Sequence, residues 1–223
     1  MAALTSRVGV TPTGAQARGY INFSRVNKTG QTVGVSPWNN AFLLKSLFVL
    51  MLSAIVEGYD LGVITFANLY IKDRYFLSLA SLGAAIGSLF SGPIVDKWGR
   101  RPILIFANAI YLLGGIFVAL YNYKESSGLL YAGRLFTGIA IGVTSMNVPI
   151  YITEIVPNEM RGRFIAWYTF LVVLGNLIAN VMSILLDQKF TIVFWIGEIF
   201  VIAQIVGIFF IIPESPRWLA KNG

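Results

Sequence analysis

The chain has 223 residues, of which 56% are apolar and only 12% are charged, and its mean hydropathy is +0.71. This composition excludes an ordinary soluble domain and indicates an integral membrane protein. The sequence contains neither cysteine nor histidine, so disulfides and thiolate metal sites are excluded and any proton chemistry must use carboxylates. No nucleophile–base arrangement, phosphate loop or metal-ligand cluster occurs in the sequence, and we therefore predict neither an enzyme nor a cofactor.

Residues 1–37 form a separate amino-terminal region that is polar and rich in small residues. No acidic side chain occurs before Glu57, whereas basic and hydroxyl-bearing residues are frequent. Such a composition is typical of a transit peptide, or of a tail that follows the charge bias of its side of the membrane. We predict a disordered cytoplasmic tail.

Six long apolar stretches follow, and each is long enough to cross a hydrocarbon core of roughly 30 Å as a helix. They cover residues 41–70, 76–95, 103–121, 129–155, 164–186 and 190–212. Several glycines lie inside these spans, often four residues apart: Gly58, Gly62, Gly83, Gly87, Gly92, Gly138 and Gly142. Because that spacing lets helix backbones approach closely in lipid, the sequence predicts an all-α membrane protein. Residues 38–212 are expected to form a packed six-helix transmembrane bundle.

The basic residues between and around the spans predict the orientation of the chain. One side of the membrane receives Arg7, Arg18, Arg25, Lys28, Lys97, Arg100, Arg101, Arg161, Arg163, Arg217 and Lys221. The other side receives Lys72, Arg74, Lys124 and Lys189. Since cytoplasmic loops carry the excess of Lys and Arg, both termini are predicted to be cytoplasmic. The net charge of +7 is thereby explained without a nucleic-acid partner.

Ionisable side chains also lie deep inside the predicted spans: Glu57 and Asp60 in the first, Arg134 in the fourth and Glu198 in the sixth. Such groups cost several kcal/mol in lipid and are functional candidates. At a rise of about 1.5 Å per residue, Asp60, Arg134 and Glu198 fall in a similar layer of the outer half of the membrane. Because an unpaired arginine there is unfavourable, we predict that Arg134 pairs with Asp60.

Four sequence motifs accompany these spans. Residues 92–102 read Gly-Pro-Ile-Val-Asp-Lys-Trp-Gly-Arg-Arg-Pro and predict a tight cytoplasmic hairpin, in which Gly99 permits the turn and Pro102 suits the start of the next helix. Residues 133–138 read Gly-Arg-Leu-Phe-Thr-Gly, residues 149–157 read Pro-Ile-Tyr-Ile-Thr-Glu-Ile-Val-Pro, and residues 213–219 read Pro-Glu-Ser-Pro-Arg-Trp-Leu. With these motifs in this order, the chain resembles the sugar porter family of the major facilitator superfamily from its first span to its end.

The resemblance implies the amino-terminal six-helix bundle of a transporter that moves a sugar or polyol by alternating access. In that family, cytoplasmic arginines and acids lock the two halves together while the outer gate is open. Carried over to this sequence, the gating salt-bridge network comprises Asp96, Arg100, Arg101, Glu154, Arg161, Glu214 and Arg217. Plain anchoring by positive charge is the alternative, but it does not explain the interleaved acids.

Proton-coupled members of the family, xylose symporters and fungal and plant sugar symporters among them, share a further pattern. In xylose symporters, an Asp in a Gly-Tyr-Asp segment pairs with the Arg of the fourth span, and a Glu of the sixth span tunes the pair. Asp60, Arg134 and Glu198 match this pattern, which implies proton-coupled symport. A carboxylate beside an arginine favours its charged form, and loss of that partner favours protonation. A static buried salt bridge, which facilitative members could also contain, is the alternative.

The substrate pocket matches the family less closely. Relatives use a Gln eight residues after the Arg of the Arg-Gly pair in the fifth span, and often another seven residues further on. Thr169 and Asn176 occupy these positions here, and Asn180 extends the same helix face. Glu57 stands where many relatives carry an aromatic residue. We take these four as candidate substrate contacts, with helix–helix contacts as the alternative, and leave a hexose, a polyol such as inositol or a larger glycoside open.

The chain ends shortly after its last motif, where the family continues into a cytoplasmic linker and a second bundle, so residues 213–223 are expected to begin that linker. We expect a fragment of a full-length porter, with a half-size protein that meets a second six-helix half, or a non-transporting membrane subunit, as alternatives. A proton-coupled organic-acid transporter is the alternative within transport. The expected partners are the lipid bilayer, protons, a small-molecule sugar or polyol and a second half. The expected location is the plasma membrane, with an organelle membrane as the alternative.

Overall fold

The computed structural model describes residues 24–26, 32–34, 41–71, 74–124, 127–186, 190–215 and 218–219. The described elements in chain order are β1 Ser24–Val26, β2 Thr32–Gly34, α1 Ala41–Ile71, α2 Arg74–Trp98, α3 Arg100–Lys124, α4 Ser127–Ile155, a 3-10 turn Asn158–Met160, α5 Arg161–Leu185 and α6 Phe190–Ile211. Each of the helices α1 to α6 contains a stretch long and apolar enough to cross a bilayer. The predicted all-α membrane fold with six transmembrane helices is confirmed.

The strands β1 and β2 pair in antiparallel fashion, with Ser24 opposite Gly34 and Val26 opposite Thr32. They lie within residues 1–37, for which the sequence predicted a disordered tail, and the pairing was not anticipated. The rest of that region lies outside the described residues, where disorder stays a prediction.

The turn between α2 and α3 is confined to Gly99. Its φ of +94° is in the left-handed region that glycine adopts without a steric penalty. Its N–H donates to the carbonyl of Val95 at 3.0 Å, which closes the last turn of α2. The hairpin expected over residues 92–102 is therefore tighter than predicted, because α2 continues through Pro93 to Trp98.

The bundle is assembled around α4 and α1. Helix α4 packs against α2 and α3, α1 packs against α5 and α6, and α3 also contacts α6. Glycine allows the closest of these approaches, as predicted: a Cβ added at Gly138 would overlap the carbonyl oxygen of Ala80 on α2. Gly92 is an exception, because a Cβ there would meet nothing within 4 Å. Its predicted role in packing is wrong, since no described neighbour approaches that side of α2.

A buried apolar cluster holds the helices together at the end of the bundle where α1 begins. It includes Leu50 of α1, Leu104 of α3, Tyr151 of α4 and Ile208 of α6. Toward the opposite end, the core becomes more polar, because Asp60, Arg134 and Glu198 are all buried there. The outer surfaces of α2, α5 and α6 expose large apolar side chains, as expected for faces in contact with lipid or with another membrane protein.

Candidate functional site

The three charges that were expected to share a layer lie together in the structure. Asp60 on α1 and Arg134 on α4 form a salt bridge of 3.6 Å between Oδ1 and a terminal guanidinium nitrogen. Glu198 on α6 lies within electrostatic reach of both. Exposure is only 2% for Asp60, 0% for Arg134 and 7% for Glu198. A charge at such a depth is tolerated when it is paired, so the arginine and the carboxylates stabilise one another in the buried site.

Two aromatic side chains complete this group, and sequence reasoning missed both. The hydroxyl of Tyr111 on α3 donates to Oδ1 of Asp60 at 2.9 Å. The ring centre of Phe194 on α6 lies 4.3 Å from Cζ of Arg134, a distance at which the ring face attracts the cation. A tyrosine and a phenylalanine inside apolar spans carry no sequence signal that sets them apart from ordinary packing residues.

A glycine brings Glu198 into position. The carboxylate of Glu198 rests on the backbone of Gly115 in α3, where an added Cβ would overlap Oε1. On the neighbouring residue, a Cβ at Gly114 would lie 2.8 Å from the carbonyl oxygen of Gly133 on α4. The backbone of α3 therefore lies directly against α4 and α6. This close approach brings the charged residues of α1, α4 and α6 together.

In this arrangement the carboxyl group of Asp60 has two alternative states, one charged and paired with Arg134 and one protonated and neutral. Arginine keeps its proton under all ordinary conditions, so Asp60 and Glu198 are the groups of this cluster that can take up or release one. The second oxygen of Asp60, Oδ2, has no hydrogen-bond partner among the described residues. A proton placed on Asp60 cancels its charge and weakens its attraction to Arg134, and its release restores the ion pair.

Glu57 lies one helical turn before Asp60 on α1 and bridges two other helices. Its Oε1 accepts a hydrogen bond of 2.6 Å from Ser145 on α4. Its Oε2 accepts one of 2.6 Å from the hydroxyl of Tyr168 on α5. Glu57 is partly exposed, so it is accessible as well as anchored. Neither Ser145 nor Tyr168 was among the predicted site residues.

The three polar residues predicted to share one face of α5, Thr169, Asn176 and Asn180, are only partly in contact. Asn180 donates through Nδ2 to the backbone oxygen and to Oδ1 of Asn176, at 2.8 and 2.7 Å. Thr169 is exposed, and its hydroxyl donates to the carbonyl of Ile165 in its own helix at 3.1 Å. The structure thus brings Asn176 and Asn180 together and leaves Thr169 about two turns away on the same helix.

At the other end of the bundle, Arg100 is the centre of a charged cluster. Its guanidinium contacts Glu154 on α4 at 2.9 Å and Asp96 on α2 at 3.2 Å. The carboxylate of Glu214, in the segment after α6, accepts hydrogen bonds from the backbone N–H groups of Arg100 at 2.7 Å and of Arg101 at 3.3 Å. Glu214 therefore caps the start of α3, where free N–H groups and the helix dipole favour a negative charge.

The remaining members of the predicted gating network differ in their contacts. The side chain of Arg101 donates to the carbonyl of Phe209 on α6 at 2.7 Å. Arg161 donates to the carbonyl of Val156 at 3.4 Å, and no salt bridge to another described residue involves it. Arg217 lies outside the described residues. The structure brings Asp96, Arg100, Arg101, Glu154 and Glu214 into one cluster and places Arg161 in a separate backbone contact.

The segment after α6 is fastened to this cluster by side-chain contacts. The hydroxyl of Ser215 donates to Glu154, and the hydroxyl of Tyr151 donates to the carbonyl of Pro213. The indole N–H of Trp218 donates to the carbonyl of Asp96 at 2.9 Å. The ends of α2, α4 and α6 are thus held together through one short segment.

Comparison with known proteins gives consistent relatives. A family profile described as "Sugar (and other) transporter" matches residues 46–223. A probable inositol transporter 2 of Arabidopsis thaliana is 32% identical over 201 residues, which are 83% of this chain and 34% of that protein. The human proton myo-inositol cotransporter is 34% identical over 187 residues, which are 77% of this chain and 28% of that protein. These relatives are transporters, in agreement with the prediction that the chain is not an enzyme.

The fold likewise matches solved transporter structures. The xylose transporter of E. coli, in a partially occluded inward-open conformation, superposes with a TM-score of 0.73 at 21% identity. The match covers 82% of this chain and 53% of that one. The chain thus spans about a third of the length of the curated relatives it matches and about half of the solved structure.

Proposed function

Because this chain belongs to the sugar transporter family of the major facilitator superfamily, we propose that it forms the amino-terminal half of a proton-coupled sugar or polyol symporter. The observation that carries the proposal is the buried Asp60–Arg134 pair with Glu198 beside it. An ionisable group inside a membrane bundle commonly marks an ion or proton pathway. Among the relatives, the human and nematode proteins are named as proton myo-inositol cotransporters, which makes myo-inositol the first substrate to test.

Asp60 is the proton-binding residue in this mechanism. With the pair closed, the positive charge of Arg134 favours the charged form of Asp60, and Tyr111 donates a hydrogen bond to it. A movement that separates the pair leaves a buried carboxylate without its counter-ion, and protonation then becomes favourable. Glu198, through its position beside both, adjusts how strongly Arg134 attracts Asp60.

The sugar or polyol binds between this bundle and a second six-helix half, on the same or another polypeptide. Transporters of this type place the substrate near the midplane at the interface of their two repeats. Glu57, Asn176 and Asn180 are the polar contacts that this half contributes, and Thr169 is exposed on the same helix as the two asparagines. Carboxylates and amides are suited to the vicinal hydroxyl groups of such a ligand because they accept hydrogen bonds from them.

The charged cluster around Arg100 forms the gate on the cytoplasmic side. Asp96 has a side chain that is 62% exposed, so it can also meet a basic group of the second half. Arg161 contributes further positive charge at this end, and Arg217 remains a member of the gate by prediction from the sequence. The excess of basic residues at the same end supports cytoplasmic termini, and the plasma membrane is the proposed location.

The test is uptake of labelled myo-inositol, xylose and glucose by cells that express the protein at its natural length. An inward proton gradient should drive accumulation of at least one of them, and an ionophore that collapses the gradient should abolish it. Asp60→Asn should abolish accumulation against a gradient. Accumulation that ignores the proton gradient would refute coupling, and inhibition by carboxylates but not by sugars would indicate an organic-acid transporter. No uptake at all would favour a non-transporting subunit.

A further inference from the structure

A small polar cavity lies inside the bundle between α1, α3, α4 and α6, next to the Asp60 pair. Its polar lining consists of Ser53, Glu57, Asn108, Tyr111, Thr144 and Gln204. Tyr111 belongs both to this cavity and to the buried pair, because its hydroxyl donates to Asp60. Glu57 lies in the same wall, one turn from Asp60 on α1. The cavity therefore joins the two carboxylates of α1 by a polar interior.

Most polar groups of this lining are hydrogen-bonded within the protein. The amide of Gln204 donates to the hydroxyl of Ser53, and the hydroxyl of Thr144 donates to the carbonyls of Ala140 and Ile141 at 3.1 and 3.0 Å. Protein contacts alone therefore account for these three groups.

Asn108 is different. Its side chain is only 3% exposed, and its Nδ2 has no hydrogen-bond partner among the described residues. A buried donor left without a partner is unfavourable, because it has given up its hydrogen bonds to water and gained none in return. The cavity volume of about 10 Å³ corresponds to a single water molecule, and buried water in a polar cavity satisfies such groups. The unpartnered amide of Asn108 lines a cavity between Glu57 and Asp60. It indicates that the cavity binds a group that can accept a hydrogen bond.

We propose that this cavity binds an ordered water molecule, and that the water connects Glu57 to Asp60 through Asn108 and Tyr111 as an internal path for the proton. Asn108 donates one hydrogen bond to the water and fixes its position. Glu57 is partly exposed whereas Asp60 is 2% exposed, so Glu57 is the end of the path that meets solvent. The proposal rests on the proposed function and deepens it, because it names the route by which the proton reaches Asp60.

The transfer moves one proton and leaves every other atom in place. Protonated Glu57 gives its proton to the water, the water gives one to the oxygen of Tyr111, and Tyr111 gives its own hydroxyl proton to Oδ1 of Asp60. Glu57 ends as a carboxylate, Asp60 ends neutral, and both Tyr111 and the water regain their original composition. Rotation of the tyrosine hydroxyl resets the path, and release of the proton follows the reverse order.

Charges at both ends of the cavity set the direction of this transfer. Arg134 on α4 and Glu198 on α6 lie at the Asp60 end. At the other end, Glu57 accepts hydrogen bonds from Tyr168 on α5 and Ser145 on α4. While Arg134 is bound to Asp60, its positive charge opposes arrival of the proton. Once the pair separates, Asp60 becomes the acceptor.

The experiment measures proton exchange at Asp60 and requires no transport. The 223-residue chain in lipid nanodiscs is held at a pH acidic enough to protonate Asp60, and its C=O stretching band is assigned by comparison with Asp60→Asn. The buffer is then changed from H2O to D2O, and the downshift of the band is followed in time by infrared spectroscopy. The variants are Asn108→Leu, which removes the donor to the water, and Glu57→Gln, which removes the acid at the solvent end of the path. Ser91→Ala is the matched control, because Ser91 is buried and lacks a hydrogen-bond partner among the described residues but does not line the cavity.

We expect Asn108→Leu and Glu57→Gln each to slow the exchange by about tenfold, as for the loss of one good hydrogen bond from the path, while Ser91→Ala exchanges at the wild-type rate. Exchange at the wild-type rate in either cavity variant overturns the proposal. If the amide I band shows that Asn108→Leu has lost its helices, Glu57→Gln alone decides. If the 223-residue chain shows this exchange while the protein at its natural length takes up none of the labelled substrates, the proposed function is refuted and the water path stands.

Discussion

Replacement of Gly99 by alanine tests the turn that joins α2 to α3. At φ +94°, an L-residue costs about 1–2 kcal/mol. The added Cβ would also lie 2.6 Å from Oε2 of Glu214, so the carboxylate must move away from the N–H groups of Arg100 and Arg101 that it caps. Loss of such a cap costs about 0.5–2 kcal/mol. Together the two effects predict a loss of roughly 1.5–4 kcal/mol in the free energy of unfolding.

The assay is denaturant unfolding of the purified chain, followed by the fluorescence of its 5 tryptophans, two of which, Trp98 and Trp218, are close to this turn. Gly162→Ala is the matched control, because a Cβ at Gly162 would meet nothing within 4 Å. This control should match the wild type, or gain up to about 1 kcal/mol from the better helix propensity of alanine.

A second background separates the two causes. With Glu214→Ala already present, the collision and the cap are both gone, and Gly99→Ala should then cost only about 1–2 kcal/mol from its backbone conformation. The reasoning is refuted if Gly99→Ala behaves like Gly162→Ala. An equal cost of Gly99→Ala with and without Glu214 would instead eliminate the carboxylate as a cause.

Three further predictions concern the interior of the bundle, and each is measured as a change in the free energy of unfolding. Gly138→Ala should lose about 1–3 kcal/mol by overpacking against α2, whereas Gly92→Ala should lose less than about 0.5 kcal/mol; equal losses would contradict the packing. Tyr111→Phe should lose about 1.5–3 kcal/mol, because its hydrogen bond goes to a charged group, and an unchanged value would show that this bond does not stabilise the fold. Asp60→Asn should lose about 3–5 kcal/mol, because Arg134 keeps its charge and loses its salt bridge. A wild-type value for Asp60→Asn would mean that Glu198 alone compensates the arginine.

The fold could be predicted from the sequence because the bilayer imposes the length of each helix. The predicted fourth span, residues 129–155, differs from α4 by two residues at its start and by none at its end. The largest difference concerned α3, which was predicted over residues 103–121 and is longer at both ends, Arg100–Lys124. Helix α2 also continues through Pro93 to Trp98, because proline near a helix end can be accommodated by neighbouring groups in a membrane bundle. The two short strands could not be predicted, since no alternating apolar pattern marks them.

Within the buried group around Asp60, only the charged residues could be predicted from the sequence. Asp60, Arg134 and Glu198 were identified because a charge inside an apolar span is rare, and the structure brings them together. Tyr111 and Asn108 take their importance from tertiary contacts: one hydroxyl reaches Asp60, and one amide lacks a protein partner. Tyrosine and asparagine are ordinary enough inside a span that spacing alone does not reveal such roles.

The attachment of Glu214, Ser215 and Trp218 to the ends of α2, α3 and α4 has a mechanical consequence. A pulling force on the backbone after α6 is transmitted to the first turn of α3 through Glu214 and to the last turn of α2 through Trp218. The load is therefore shared among helices instead of being borne by α6 alone. A domain that pulls on this segment would therefore tilt the ends of these helices together.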